Sequence, residues 1–197
     1  MKHFAISLVA AASLAAALIS KPAAAVEVAG VKLDDSVKVA GKDLKLNGAG
    51  VRVRAVFKVY ALGLYLGKKE TTTEGVLAAT GPRRFQIVML REVSGDDFGQ
   101  AFMSGINANS DKAEKSKLVN QMVKFGELFQ AVPGLKKGDT MIVDWLPEKG
   151  TTIELNGKSL TEPIPDLAFY NALLKIWLGD KAVDSSLKPL LLGAKES

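Results

Sequence analysis

Within residues 47–67, NGAGVRVRAVFKVYALGLYLG, two side chains are suited to act together: the guanidinium of Arg52 and the phenol of Tyr60. An arginine that stays charged and presents a planar fork of donors, set beside a phenolic O–H, is a receptor for a carboxylate or phenolate head group. Their spacing imposes a condition. Eight residues of unbroken strand span ~26 Å, too far for one head group, so a bulge or hairpin near residues 54–56 must bring the pair together. If the strand runs straight, Arg54 becomes the alternative anchor. The bland alternative is that Arg52 pairs with a core carboxylate while Tyr60 packs its ring and bonds a carbonyl. Composition closes off much other chemistry. The chain has no cysteine and a single histidine, His3, which lies in a segment expected to be removed. Cysteine nucleophiles, histidine bases, Ser-His-Asp triads and the usual zinc or haem ligand sets are thereby excluded. Asp34, Asp35 and Asp43 read as scattered surface carboxylates rather than a metal cage. Gly48-Ala49-Gly50 lacks the third glycine and the helix that a dinucleotide pyrophosphate needs. No catalytic residue, metal or cofactor is expected.

These residues sit in the longest run of strand chemistry in the chain. β-Branched and aromatic residues recur there with little helical patterning, as one long strand or a tight hairpin, and Gly48 and Gly50 admit backbone geometries that side chains forbid. If extended, the run puts Val51, Val53, Ala55, Phe57, Val59 and Ala61 on one face and Arg52, Arg54, Val56, Lys58 and Tyr60 on the other. Upstream, residues 26–48 alternate around Gly30 and Gly41 as two short strands joined by a turn. A helical turn and loop follow Gly67, and residues 84–91, RFQIVMLR, form a second long strand. Ser94 and Asp97 then make an S-x-x-D helix start, with Phe98, Ala101, Phe102 and Ile106 as its apolar stripe. Asp111 and Glu114 repeat that logic for a helix burying Leu118, Met122, Phe125, Leu128 or Phe129, and Val132, with its lysines on a solvated face. Pro133-Gly134 stops it. Strands resume, with turns at residues 147–150 and at Asn156-Gly157, a type I′ hairpin signal. Asp166 opens a helix over residues 167–178 closed by Gly179 as a C′ glycine, and Asp184 caps a last short helix. This order of elements predicts an α+β domain, an antiparallel sheet with helices packed on one face. Phe98, Phe102 and the 167–178 helix are the large apolar stripes able to roof a cavity over the sheet face carrying Arg52.

Residues 1–25 read as a secretory signal peptide: Lys2 precedes an apolar run from Phe4 to Ile19, and Ala23-Ala24-Ala25 offers a cleavage site. The run is shorter than the ~20 residues of a membrane span. One domain, residues 26–197, remains, with no stable membrane insertion expected after cleavage. Lys2 and Lys21 leave with the signal, so the 26 basic residues fall to 24 against 21 acidic ones, too small an excess to argue nucleic-acid binding. An Ala-rich signal points to a periplasmic destination, and no oligomeric state is legible.

The segment GAGVR followed by FKVYALGLYLG resembles the core of the chalcone isomerase superfamily. In that family a glycine-flanked arginine opens a central strand, and a hydroxyl residue follows just before a small-x-Gly-x-Tyr-Leu ending. Arg52, Tyr60 and Ala61-Leu62-Gly63-Leu64-Tyr65-Leu66 occupy those places. VSGDDFGQAF at residues 93–102 and IPDLAFYNALLKIWLG at residues 164–179 extend the likeness over most of the chain, that of an open-faced sandwich of secreted bacterial type. The superfamily holds true isomerases, fatty-acid-binding members, non-catalytic helpers and secreted bacterial relatives. The resemblance implies that Arg52 and Tyr60 hold the carboxylate of an amphipathic ligand, a fatty acid or a phenolic, as in the fatty-acid-binding branch. Chalcone isomerases usually carry threonine where Tyr60 stands. Their polar cleft positions on the first long helix correspond here to Phe98, Ala101 and Gly105, so binding without turnover is the first expectation. Isomerisation by intramolecular cyclisation, with Arg52 stabilising a phenolate, is the second.

Overall fold

The computed structural model describes residues 25–194; the segment read as a signal peptide lies outside them except for Ala25. Four strands rather than two occupy the N-terminal stretch: β1 (Ala25–Val28), β2 (Val31–Asp34), β3 (Ser36–Val39) and β4 (Lys42–Arg54). Ala29-Gly30 and Ala40-Gly41 each place both turn residues at positive φ, 50° and 82° in the first turn and 47° and 75° in the second. These are hairpin turns of the type that Asn-Gly usually makes. Alanine carries no such signal in a sequence, which is why two of the strands are not legible there.

β4 turns at Ala55-Val56 into β5 (Phe57–Leu66), so residues 47–67 form a hairpin and Arg52 lies opposite Tyr60 in its register. The chain continues through α1 (Thr73–Ala78), β6 (Arg83–Met89), β7 (Val93–Ser94), α2 (Gly95–Asn109), α3 (Lys112–Gln130) and β8 (Gly134–Leu135). It ends with β9 (Thr140–Leu146), β10 (Gly150–Leu155), β11 (Lys158–Ser159), α4 (Leu167–Leu178) and α5 (Leu187–Leu191). Seven strands make one antiparallel sheet in the order β11-β10-β9-β6-β5-β4-β3. Local signals set the helix starts: the Ser94 hydroxyl accepts from Asp97 N at 3.1 Å, and Asp111 and Glu114 form a reciprocal capping box.

Alternation along β5 divides the sheet. Tyr60, Leu62, Leu64 and Leu66 join Phe85, Ile87 and Met89 of β6 in the main core beneath the helices. On the reverse face Ala61 and Tyr65 pack with Leu44 and Leu46, and with Val28 and Leu33 of the β1–β2 hairpin, in a second, smaller core. The helices thus cover one face, and the N-terminal hairpin covers part of the other.

Asn47 governs how β4 passes between these faces. Leu46 pairs with Tyr65 and Gly48 with Leu64, leaving Asn47 as an extra residue in a bulge. Leu46 consequently points to the reverse core while Gly48, Gly50 and Arg52 point to the helix face. The Asn47 amide donates to Glu70 O at 2.9 Å and Leu191 O at 2.8 Å, and its Oδ1 accepts from Glu70 N at 2.8 Å. Asn47→Ala orphans three backbone groups and is expected to cost about 2–4 kcal/mol. Urea denaturation checks this, and a loss under ~1 kcal/mol would show that the bulge holds without its side chain.

The glycines on β4 have a different role from the one their flexibility suggests. Neither Gly48 nor Gly50 has a positive φ. Instead α5 lies directly on them: a Cβ on Gly48 would overlap Leu190 O and stand 2.6 Å from Leu191 O, and one on Gly50 would stand 2.7 Å from a Leu187 methyl. Gly179 follows α4 as expected, but with φ −71° it is no left-handed cap; its Cβ would overlap the Asn109 amide. Asp184 does not cap α5 either. That helix starts at Ser186, whose own side chain makes no cap bond; Asp184 Oδ1 accepts from Ser186 N at 3.1 Å and from its hydroxyl, just ahead of the helix, while Oδ2 accepts from Val53 N.

Candidate ligand-binding cleft

The β4–β5 hairpin does what the spacing of Arg52 and Tyr60 demands. The ladder slips by one residue at this point, with Arg52 opposite Tyr60 and Val53 opposite Lys58. Val59 is left as the extra residue, and its carbonyl accepts from Leu90 N at 2.9 Å. The two side chains therefore share the helix-side face of neighbouring strands, where directly opposed residues lie about 5 Å apart.

Above them is a cleft of about 530 Å³, within the range of small-molecule sites. Arg52, Arg54, Tyr60, Phe98 and Phe102 all line it. Its inner wall is apolar. Phe98 and Phe102 are 3% exposed with ring centroids 4.7 Å apart, and Ile176 of α4 and Val183 complete it. Ala101 sits on the exposed side of α2 but still faces the cleft. Gly105 does not line it: a Cβ there would meet Ile176 Cγ2 at 2.8 Å, so this glycine serves the packing of α2 on α4. At the outer end Arg54, Arg91 and Phe57 are exposed, the Arg91 guanidinium lying 4.8 Å from the Phe57 ring centroid.

Tyr60 is buried and its oxygen accepts a hydrogen bond from Trp177 Nε1 at 2.9 Å. No acceptor for its own hydroxyl proton occurs among the described residues. Burial pushes the Tyr60 pKa up to about 12, against the opposing pull of the Trp177 bond and the Arg52 charge. It is a neutral phenol at neutral pH, with one donor to spare. Arg52 has a counter-ion: its Nη1 stands 3.5 Å from Asp184 Oδ2 and also donates to Val53 O. Nε and Nη2 have no acceptor among the described residues. Burial alone would raise the Asp184 carboxyl, but bonds from Ser186 and Val53 N, with the Arg52 charge, hold it below the ordinary aspartate value. The bland alternative for Arg52 is thus half met, since a carboxylate is present but a cavity opens beside the pair.

Sequence reasoning missed Arg91, Asp184 and Trp177. Arg91 carried a usable signal, because it closes the RFQIVMLR strand at the sheet end where the hairpin turns. Asp184 carried none, being 132 positions from Arg52 in sequence. Among the described residues no cluster of carboxylates or imidazoles could hold a metal, and no helix is long and apolar enough to cross a membrane.

An antiparallel sheet roofed on one face by helices, over a cleft with an apolar inner wall and with Arg52, Arg54 and Arg91 set against Glu92 and Asp97 in its lining, defines the class: an α+β open-faced sandwich with a cleft. The chain belongs to the chalcone isomerase-like family, whose model matches residues 25–193. Among solved structures it is similar to the Arabidopsis thaliana fatty-acid binding protein, with a TM-score of 0.68 and 14% identity over 83% of this chain and 92% of that one. At that identity the likeness is one of fold. No curated protein matches the chain by sequence.

Proposed function

We propose that the protein binds a fatty acid or a similar amphipathic carboxylate in this cleft, in the periplasm, without turning it over. The observation that carries the proposal is the hairpin register, which sets a guanidinium with free donors beside a phenol with an uncommitted proton at the edge of an apolar cavity. The carboxylate accepts from Arg52 and Tyr60, and the chain lies against Phe98, Phe102, Ile176 and Val183. Similarity in fold to a fatty-acid binding protein supports the same reading. The periplasmic location rests on residues 1–25 alone. Titration with laurate tests the binding: a saturating ligand at about 100 times its dissociation constant stabilises by about 2.7 kcal/mol, a melting-temperature rise of several degrees. An empty protein by native mass spectrometry together with no laurate-induced shift would sink the proposal.

Asp184 competes with the ligand for Arg52. Asp184→Asn is expected to tighten laurate binding roughly fivefold, the scale of a part-exposed ion pair, by isothermal titration. Weaker binding would mean that Asp184 orients the guanidinium rather than competing for it.

Chalcone cyclisation is expected to run no faster than in buffer. Arg52 can attract a phenolate, but Phe98 and Ala101 place no donor where the substrate and a water would be oriented, and attraction without transition-state contacts gives binding rather than turnover. A robust initial rate that collapses in Arg52→Ala would establish the isomerase reading instead.

A further inference from the structure

The tip of the β4–β5 hairpin is built of residues a free surface disfavours. Val56, at a turn position where polar residues and glycine are the usual occupants, is 84% exposed, and Phe57, the first residue of β5, is 56% exposed. Ala55 takes φ 53° there, a conformation that costs an alanine about 1–2 kcal/mol. Ala29 and Ala40 take the same conformation in the two preceding turns, so what sets this tip apart is the exposure of Val56 and Phe57. Arg54 and Lys58 flank it, and Arg91 covers one side of the Phe57 ring. None of these three cations has a carboxylate within ion-pair distance among the described residues. The same tip borders the cleft, because Arg54, Ala55, Phe57 and Arg91 are also its outer lining.

From this the geometry points to a docking surface: the hairpin tip inserts Val56 and Phe57 into an anionic phospholipid bilayer while Arg54, Lys58 and Arg91 meet the lipid phosphates. Charge and shape both favour that occupant. Three unpaired cations around an exposed apolar tip outnumber the carboxylates of Glu92 and Asp97 in the adjoining cleft lining and complement an anionic interface. A protein partner would need roughly 1,000 Å² of complementary surface, and a tip of two apolar side chains offers far less. Because the cleft opens beside the tip, a docked protein would exchange an acyl chain with the bilayer without carrying it through water. That consequence rests on the acyl-binding reading, whereas the docking itself does not.

The absence of cysteine from the chain makes the test site-specific. Val56→Cys in the full chain is labelled with a nitrobenzoxadiazole fluorophore and titrated with vesicles of phosphatidylglycerol and phosphatidylethanolamine, or of phosphatidylcholine alone. Val123→Cys, on the exposed side of α3, is the control. The expected result is a blue shift and intensity gain at position 56 with the anionic vesicles only, and none at position 123. Adding Lys58→Glu should raise the half-maximal lipid concentration roughly fivefold or more. The proposal is overturned by an unshifted probe at position 56, by equal shifts at both positions, or by an equal response to phosphatidylcholine. An unshifted probe, together with oxidative crosslinking of two copies of the unlabelled Val56→Cys variant, would assign the tip to self-association instead. Laurate titration without vesicles separates the two ideas: a probe that shifts in a protein that ignores laurate leaves the docking surface standing and removes the acyl ligand.

Discussion

Replacing Arg52 with alanine is expected to weaken laurate binding roughly 10- to 150-fold while leaving dodecanol binding almost unchanged. The size follows from the loss of charge-assisted hydrogen bonds, about 1.5–3 kcal/mol for bonds to a charged group. Dodecanol is the discriminating ligand, since it keeps the apolar contacts with Phe98 and Phe102 and has no charge to lose. The substitution also strips Asp184 of its cation, and the carboxylate left at the cleft would repel laurate on its own account. The double variant Arg52→Ala/Asp184→Asn removes that repulsion, and it should recover part but not most of the loss. Equal losses for both ligands would show that Arg52 shapes the cleft instead of binding the head group, and no loss for either would place the ligand elsewhere.

The second large effect concerns stability. Gly48→Ala is expected to cost at least roughly 3 kcal/mol, at the upper end of what overpacking usually does, and to lower the melting temperature by about 10 °C. The new methyl would collide with backbone carbonyls of Leu190 and Leu191, which cannot rotate aside as a side chain can. Gly50→Ala is the internal comparison, because its methyl would meet only the side chains of Leu187 and Leu190 and should cost about 1–2 kcal/mol. Thermal unfolding followed by circular dichroism ranks the two. Equal costs would mean that α5 moves as a rigid piece and that the backbone collision is relieved elsewhere.

What could be read in the sequence was local. The Ser94 and Asp111 starts, the Asn156-Gly157 turn and the apolar stripe through Phe98 and Phe102 each depend on residues within a few positions of one another, and each stands where expected. Arg52 and Tyr60 were legible as chemistry, and their spacing called for a bulge or hairpin near residues 54–56, but the turn through Ala55-Val56 has no turn-forming signature to choose the hairpin over a straight strand. The β1–β2 hairpin was missed for the same reason, its Ala29-Gly30 turn giving weak notice of two strands. Asp184 as a partner for Arg52, and α5 as the reason for Gly48 and Gly50, arise from contacts that no periodicity encodes. There the glycines were correctly singled out and wrongly explained.

Those contacts also make the site depend on distant parts of the chain. Asn47 bonds Leu191 across 144 residues of chain, and Val53 N bonds Asp184 across 131. Loops of that length must close before either bond is gained, and topologies that depend on such closures fold slowly. The hairpin carrying Arg52 and Tyr60 has only local pairings and can form early, but its counter-ion and the helix that seals Gly48 come from the last stretch of described chain. The cleft therefore depends on residues from the last stretch of described chain, Val183 in its lining and Asp184 beside Arg52, as much as on the hairpin. Without the segment that carries Asp184, Arg52 would lack its counter-ion, so the charge of the groove is set by a residue far away in the chain.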